Sequence, residues 1–386
     1  MKKRIVKNIS LLMVFLLTTN AYADLRITEY FNNLEPQKHV NKLYSEERKN
    51  ELNQNIIKYD DIDDLVHLYN MDVANLWNNW ENNKSAEDIH NDYLDSAAYL
   101  ENAAASADND FMEGMNRSQA LAMRIQADQN ADDSYSNFLK NYLEEKNIVK
   151  KTKVLFIDYK KSEFDLYSVA EGIKEAERNE EKAKNAYEIG SGTKIDYLNA
   201  QKNTFDSKAN FILSESACTA NKRNLIINCG KKIDDSIGIP DIVLDISYDV
   251  TKINLENDYN NALKNSIQLA IYKRNLENAE TEEVKNIHKI NINNAPNIIW
   301  NDLDSKYHSI LDALTSYENR KVALEVAIDS YNSSKNKYEE GSISKKEFAT
   351  AEYAYILAKC NLEITKYDIK KAILEYEFSR DGYYKF

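Results

Sequence analysis

The sequence predicts an all-α protein dominated by long helices, and three observations carry that prediction. Only eight glycines and three prolines occur in 386 residues, far below ordinary usage, so helix-compatible residues run on with few interruptions. Apolar residues recur at alternating steps of three and four, the period of packed helices. Sharp breaks inside the helical runs fall at Gly190 with Gly192 and at Gly341, as isolated glycine punctuation does.

Residues 1–23 read as a secretory leader: basic Lys2, Lys3, Arg4 and Lys7, a short apolar run from Leu11 to Leu17, and the small-x-small site Ala21-Tyr22-Ala23. The run is about half the length of a spanning helix, so removal is expected, leaving Asp24 first. No cysteine follows the site to take a lipid. The formal net charge is −13, and losing the leader makes it more negative. That balance excludes nucleic acid as a partner and a basic membrane-surface module. Cys218, Cys229 and Cys360 are an odd set, so they cannot all pair within one chain. A Cys218–Cys229 bridge needs the chain to turn back between them, and packed thiols are the simpler expectation.

The two glycine breaks are copies of one another. Tyr187-Glu188-Ile189-Gly190-Ser191-Gly192-Thr193-Lys194 aligns with Tyr338-Glu339-Glu340-Gly341-Ser342-Ile343-Ser344-Lys345 at an offset of 151, and the match extends to Ala200 and Ala351. Upstream, Asp110-Phe111 through Leu121-Ala122 aligns with Asp258-Tyr259 through Leu269-Ala270 at an offset of 148. Two matches nearly in register point to an internal duplication. The expected division is a helical extension over 24–109, repeat 1 over 110–238, a linker over 239–257 with a short strand at Ile242–Tyr248, and repeat 2 over 258–386. Pro296 is expected to interrupt repeat 2.

Each repeat is expected to be a long helical hairpin. Leu303, Tyr307, Ile310, Leu314, Tyr317, Leu324, Ala327, Tyr331 and Tyr338 mark one arm. Phe348, Ala351, Tyr355, Ala358, Leu362, Thr365, Ile369, Ala372 and Tyr376 mark the other. The 3.5-residue repeat is that of a left-handed coiled coil, with arms of roughly 35 residues, or ~50 Å. Gly341 ends the first arm because it takes a left-handed backbone cheaply. Ser344 with Glu347, and Thr193 with Asp196, stand at capping-box spacing to start the second arms. On periodicity alone, a plain bundle or isolated coiled coil fits equally well.

The duplicated Tyr-x-x-Gly-x-x-Ser/Thr-x-x-acid-x-x-x-Ala turn, together with the Ala262-Leu263-Lys264-Asn265-Ser266 run, resembles the outer membrane factor family, TolC and its relatives, over roughly residues 110–386. The resemblance implies a homotrimer whose helical arms close into a hollow periplasmic α-barrel at the outer membrane of a Gram-negative bacterium. It implies a periplasmic adaptor docked at the glycine turns, and an ATP- or ion-driven inner-membrane transporter that passes a protein or small molecule outward. Family members carry a strand pair between the opening helix and the long arm. Here Lys289–Trp300 is all that separates the two in repeat 2, and in repeat 1 only Val154-Leu155-Phe156-Ile157 looks strand-like. A spanning strand needs ~9–11 alternating residues. The expectation is therefore a strand-poor member with a lost or vestigial β-barrel, of the kind that serves dispersin-type export.

The resemblance makes Gly190, Ser191, Gly192, Thr193, Gly341, Ser342, Ile343 and Ser344 the adaptor-docking tip. It makes Asp196, Glu347 and Tyr338 the channel entrance, with Tyr338 a hydrogen-bond partner for Asp196. Ile343 stands where the family has a basic residue, which weakens a salt-bridged gate. Well-capped turns and helix-end carboxylates explain the same residues without any function. His39, His67, His90, His288 and His308 show no pair at metal-ligand spacing, and no phosphate loop, dinucleotide fingerprint or nucleophile elbow occurs. No enzyme, cofactor or metal is expected. The rival reading is a periplasmic coiled-coil adaptor or scaffold without a channel.

Overall fold

The computed structural model describes residues 35–82, 86–130, 133–242, 244 and 250–384. The leader, and most of the expected strand at 242–248, lie outside them. Among the described residues no β-strand occurs. A single parallel bridge joins Ile56 to Gly238. Among the same residues no helix is long and apolar enough to cross a membrane.

Among the described residues four short α-helices come first: α1 (Pro36–Val40), α2 (Glu46–Leu52), α3 (Ile62–Tyr69) and α4 (Met71–Asn82). A helical hairpin follows, α5 (Ala86–Ala105) and α6 (Asp110–Gln129). Then come the first long arms, α7 (Ser134–Glu188) and α8 (Lys194–Asn228). The second half holds α9 (Leu255–Asn265), α10 (Ile267–Asn278), α11 (Glu282–Glu339) and α12 (Lys345–Arg380). The long arms lie side by side in the order α8, α7, α12, α11.

The arms exceed expectation on one side of each turn. α7 has 55 residues and α11 has 58, about 83–87 Å at 1.5 Å per residue. α11 runs straight through Pro296, and Lys289–Trp300 is therefore arm and not connector. An interior proline costs about 3 kcal/mol. Fully buried Ala295, Ile299 and Leu303 offset that cost through packing. Val154–Ile157 is likewise helix, inside α7, with Phe156 and Ile157 fully buried. β-branched preference is weak against such burial.

The core sits at the end of the hairpins away from the glycine turns. There Leu52, Ile57, Ile62, Leu65, Val73, Trp77 and Trp80 pack against Phe138, Leu139, Leu225, Ile226, Ile267 and Ile299. The N-terminal segment is thus part of the main core and not an appendage. A second cluster joins Leu303 and Ile310 to Ile369, Ile373 and Tyr376.

One local construction occurs twice in this core. α8 ends at Gly230 (φ 68°) and α12 at Gly382 (φ 83°). Each ends in the same paired bonds, Gly230 N to Ile227 O with Lys231 N to Ile226 O, and Gly382 N to Ser379 O with Tyr383 N to Phe378 O, a Schellman end. Each glycine lies against the junction of two short helices. An added Cβ would come 2.0 Å from the Tyr69 carbonyl oxygen at Gly230, and 2.1 Å from that of Asn265 at Gly382. Asn70 Oδ1 then caps α4 through Val73 N (3.1 Å), and Ser266 Oγ caps α10 through Leu269 N (3.1 Å).

The structural counterpart of 255–278 is therefore 62–82. The sequence match at 110–122 falls in the unbroken helix α6, whereas its partner segment breaks at Ser266. By this construction α3–α4 corresponds to α9–α10, and the α5–α6 hairpin stands between that pair and the arm α7. In chain order it stands where the resemblance places a strand pair. Repeat 2 has only 279–281 at that place. Asp128 at the foot of α6 accepts from Glu280 N (2.6 Å) and Thr281 N (3.0 Å), tying the hairpin to that short junction.

Candidate functional site

Both glycine turns are built as the spacing predicts. Gly190 (φ 76°) and Gly341 (φ 74°) are left-handed, a conformation that costs residues with a Cβ about 1–2 kcal/mol. Ser191 N bonds Ala186 O at 2.9 Å and Ser342 N bonds Lys337 O at 2.7 Å, giving the same helix end twice. Both capping boxes are closed. Asp196 Oδ2 accepts from Thr193 Oγ1 (2.7 Å) and Thr193 N (3.3 Å). Glu347 Oε2 accepts from Ser344 Oγ and Ser344 N, both at 2.8 Å. Of the eight tip residues, Gly192 and Ile343 are half-buried and the rest exposed.

The aromatics behind the turns are also duplicated. Tyr187 stacks on Tyr197 at 6.3 Å between centroids, and Tyr338 stacks on Phe348 at 5.2 Å. The resemblance makes Tyr338 a hydrogen-bond partner for Asp196. Within this chain its ring is committed to Phe348, and Asp196 is engaged by Thr193. Phe348 was legible as a stripe residue, and Tyr197 could have been found by carrying Phe348 back 151 positions.

The hydrogen bonds from Thr193 hold the Asp196 carboxyl below the usual carboxylate range, and the Ser344 backbone and hydroxyl do the same for Glu347. A lowered folded value means a contribution present above the unfolded pKa of about 4 and lost as pH falls through the folded one. Amide-exchange protection at the first turns of α8 and α12 should therefore fall on acidification below about pH 4. Asp196→Asn should flatten that dependence for α8 only. An unchanged acid profile in this variant would count against the cap as the source.

A lateral clamp, which sequence reasoning missed, joins the two hairpins. Lys346 Nζ donates to Arg178 O (2.6 Å), Thr350 Oγ1 donates to Glu175 Oε1 (2.9 Å), and Arg178 is held by Glu175 (2.7 Å). α8 and α11 are the outer edges of the row, and both carry exposed apolar side chains. On α8 these are Ile195, Leu198, Phe205 and Ile212, and on α11 Val322 and Val326. Water-facing apolar residues recurring along two edge helices are the mark of a surface meant to be covered.

All three cysteines are free and buried. His39 and His67, which sequence spacing does not pair, converge on Glu145. Spacing along a chain does not report contacts made by folding.

No family model matches the sequence, and no curated protein matches it either. Solved structures do resemble it. A membrane protein from Pseudomonas aeruginosa superimposes with a TM-score of 0.50 at 10% identity, over 67% of this chain and 71% of that one. The VceC outer membrane protein of Vibrio cholerae gives 0.44 at 13%, over 70% and 76%. The CmeC outer membrane channel of Campylobacter jejuni gives 0.42 at 10%, over 70% and 69%. With its duplicated glycine-turned hairpins and the fold it shares with the Pseudomonas membrane protein, the chain has a TolC-like helical fold.

Proposed function

We propose that this chain is a subunit of a trimeric export duct of the outer membrane factor type, working at the periplasmic side of an outer membrane. The observation that supports it is the pair of open edges. A row of four antiparallel arms with unlike apolar edges, α8 on one side and α11 on the other, is suited to head-to-tail contacts between copies, and such contacts close into a ring when the rotation allows. Three copies would give twelve long arms around a bore. The glycine tips, with their exposed small residues, would receive a periplasmic adaptor. That adaptor would link the duct to an ATP- or ion-driven inner-membrane transporter, and a protein or small molecule would pass through. Asp196 and Glu347 would place like charges near the entrance axis, favouring its open state by repulsion. On this reading the protein is a conduit, and the energy comes from its partner.

Particle shape is the deciding measurement. Electron microscopy of the purified chain should give hollow three-fold cylinders. Solid rods or monomers would favour the rival scaffold without a channel. Gly341→Pro removes the N–H that bonds Tyr338 O and forbids the left-handed turn. It should leave the helical circular dichroism intact and abolish export, read as the supernatant profile of cells supplied with native or variant chain. A native profile from Gly341→Pro would refute the tip as a dock.

A further inference from the structure

We propose that His39, His67 and Glu145 form a binding site for a divalent transition metal of the zinc class, which fastens the N-terminal segment onto the long arm α7. The three residues come from α1, α3 and α7. His39 Nε2 lies 3.1 Å from one Glu145 oxygen and His67 Nδ1 2.9 Å from the other. All three donor atoms fall within 4.8 Å of one another. Those separations sit near the ~3.3 Å edge of a tetrahedron with zinc–nitrogen and zinc–oxygen bonds of ~2.0–2.1 Å. Two imidazoles and a carboxylate are a borderline donor set, suited to zinc and its neighbours and poorly suited to calcium or magnesium.

Charge accounting supports a cation here. Glu145 is 3% exposed. A carboxylate that ligates a metal must be ionised. The third partner of Glu145 is the Trp77 indole N–H at 2.7 Å. The surround is aromatic: Trp77, Phe138 and Tyr142 ring His39 at 5.2, 6.1 and 4.9 Å. Unbalanced buried charge is costly. A divalent ion held by all three groups offsets it. Trp77 then orients the carboxylate from outside, as outer partners of metal ligands do. The His39 side chain is 18% exposed, which leaves a solvent side for a water as fourth ligand.

The test uses the purified full chain, stripped with EDTA and then titrated with zinc or cobalt(II). The expected result is one equivalent bound per chain, visible d–d bands with cobalt, and a melting temperature raised by at least about 3 °C at saturation. His39→Gln changes a part-exposed ligand and should keep the fold while losing the bands and the shift. Glu145→Gln should lose them as well. Absence of bands and of any melting shift in the native chain would overturn the proposal. A cobalt spectrum and shift undiminished in His39→Gln would also overturn it.

Discussion

A chain carrying both Leu198→Glu and Val326→Glu should purify as a folded monomer, and the native chain should purify as the closed ring proposed above. The internal repeat supplies the register. Inside the chain, Glu175 meets Thr350 and Arg178 meets Lys346 across α7 and α12. Moving each residue to its copy 151 positions away places Val326 against Asn199 and Asp329 against Ile195, now between α11 of one subunit and α8 of the next. In each pair one polar clamp residue is thus replaced by an apolar one at the edges, where Ile195 is 70% and Val326 64% exposed. Burying such side chains contributes about 1.5–3 kcal/mol each, whereas a carboxylate taken out of water costs several kcal/mol. Two glutamates per contact should therefore weaken subunit association by at least about a hundredfold, the equivalent of ~2.7 kcal/mol. Light scattering reads the mass directly. A variant that keeps the native mass would exclude these edges from the interface. In the same register, Asn199→Cys with Val326→Cys should give a disulfide ladder between copies that stops at three.

Gly382→Ala and Gly230→Ala should be the most damaging single substitutions to the fold. Both positions are left-handed, and both press the backbone of the opening helix pair. At Gly382 the new Cβ would also lie 2.9 Å from Ser266 N, and at Gly230 2.2 Å from the Tyr69 carbonyl carbon. Those neighbours are backbone and cannot rotate away. The left-handed cost of about 1–2 kcal/mol adds to an overpacking cost of about 1–3 kcal/mol. A loss of about 2–5 kcal/mol is expected from urea unfolding, or failure to accumulate. Gly341→Ala is the control. It shares the backbone conformation, but nothing lies within 4 Å of its added Cβ, so only the first cost applies. Equal stability of Gly382→Ala and Gly341→Ala would show that the close approach carries no load.

Several parts of this molecule are local, and the residues announce them. A left-handed glycine after a heptad stripe, followed by Thr193 with Asp196 or Ser344 with Glu347, specifies turn and restart within a dozen residues. The arms, both capping boxes and the duplicated tips were legible for that reason. Phe348 and Tyr338 were legible as stripe residues, but their stacking belongs to two helices at once. Misreadings arose where burial overrode a local preference. Pro296 and Val154–Ile157 read as a break and a strand because intrinsic propensity is all that a short window contains, and the packing of Ile299, Leu303 and Phe156 is supplied by residues far along the chain.

The chain by itself determined its helical class, its two hairpins and the position of their turns, because those depend on backbone preferences and periodicity over neighbouring residues. Tertiary structure alone decided which segment corresponds to α9–α10, since the equivalence rests on Gly230 and Gly382 touching Tyr69 and Asn265 across the fold. It alone set the order α8, α7, α12, α11 and so exposed the two apolar edges. It also brought His39 and His67 to Glu145, over sequence separations of 106 and 78 residues. Contacts between distant residues are fixed by the shared burial of many side chains, and no window of sequence contains that sum.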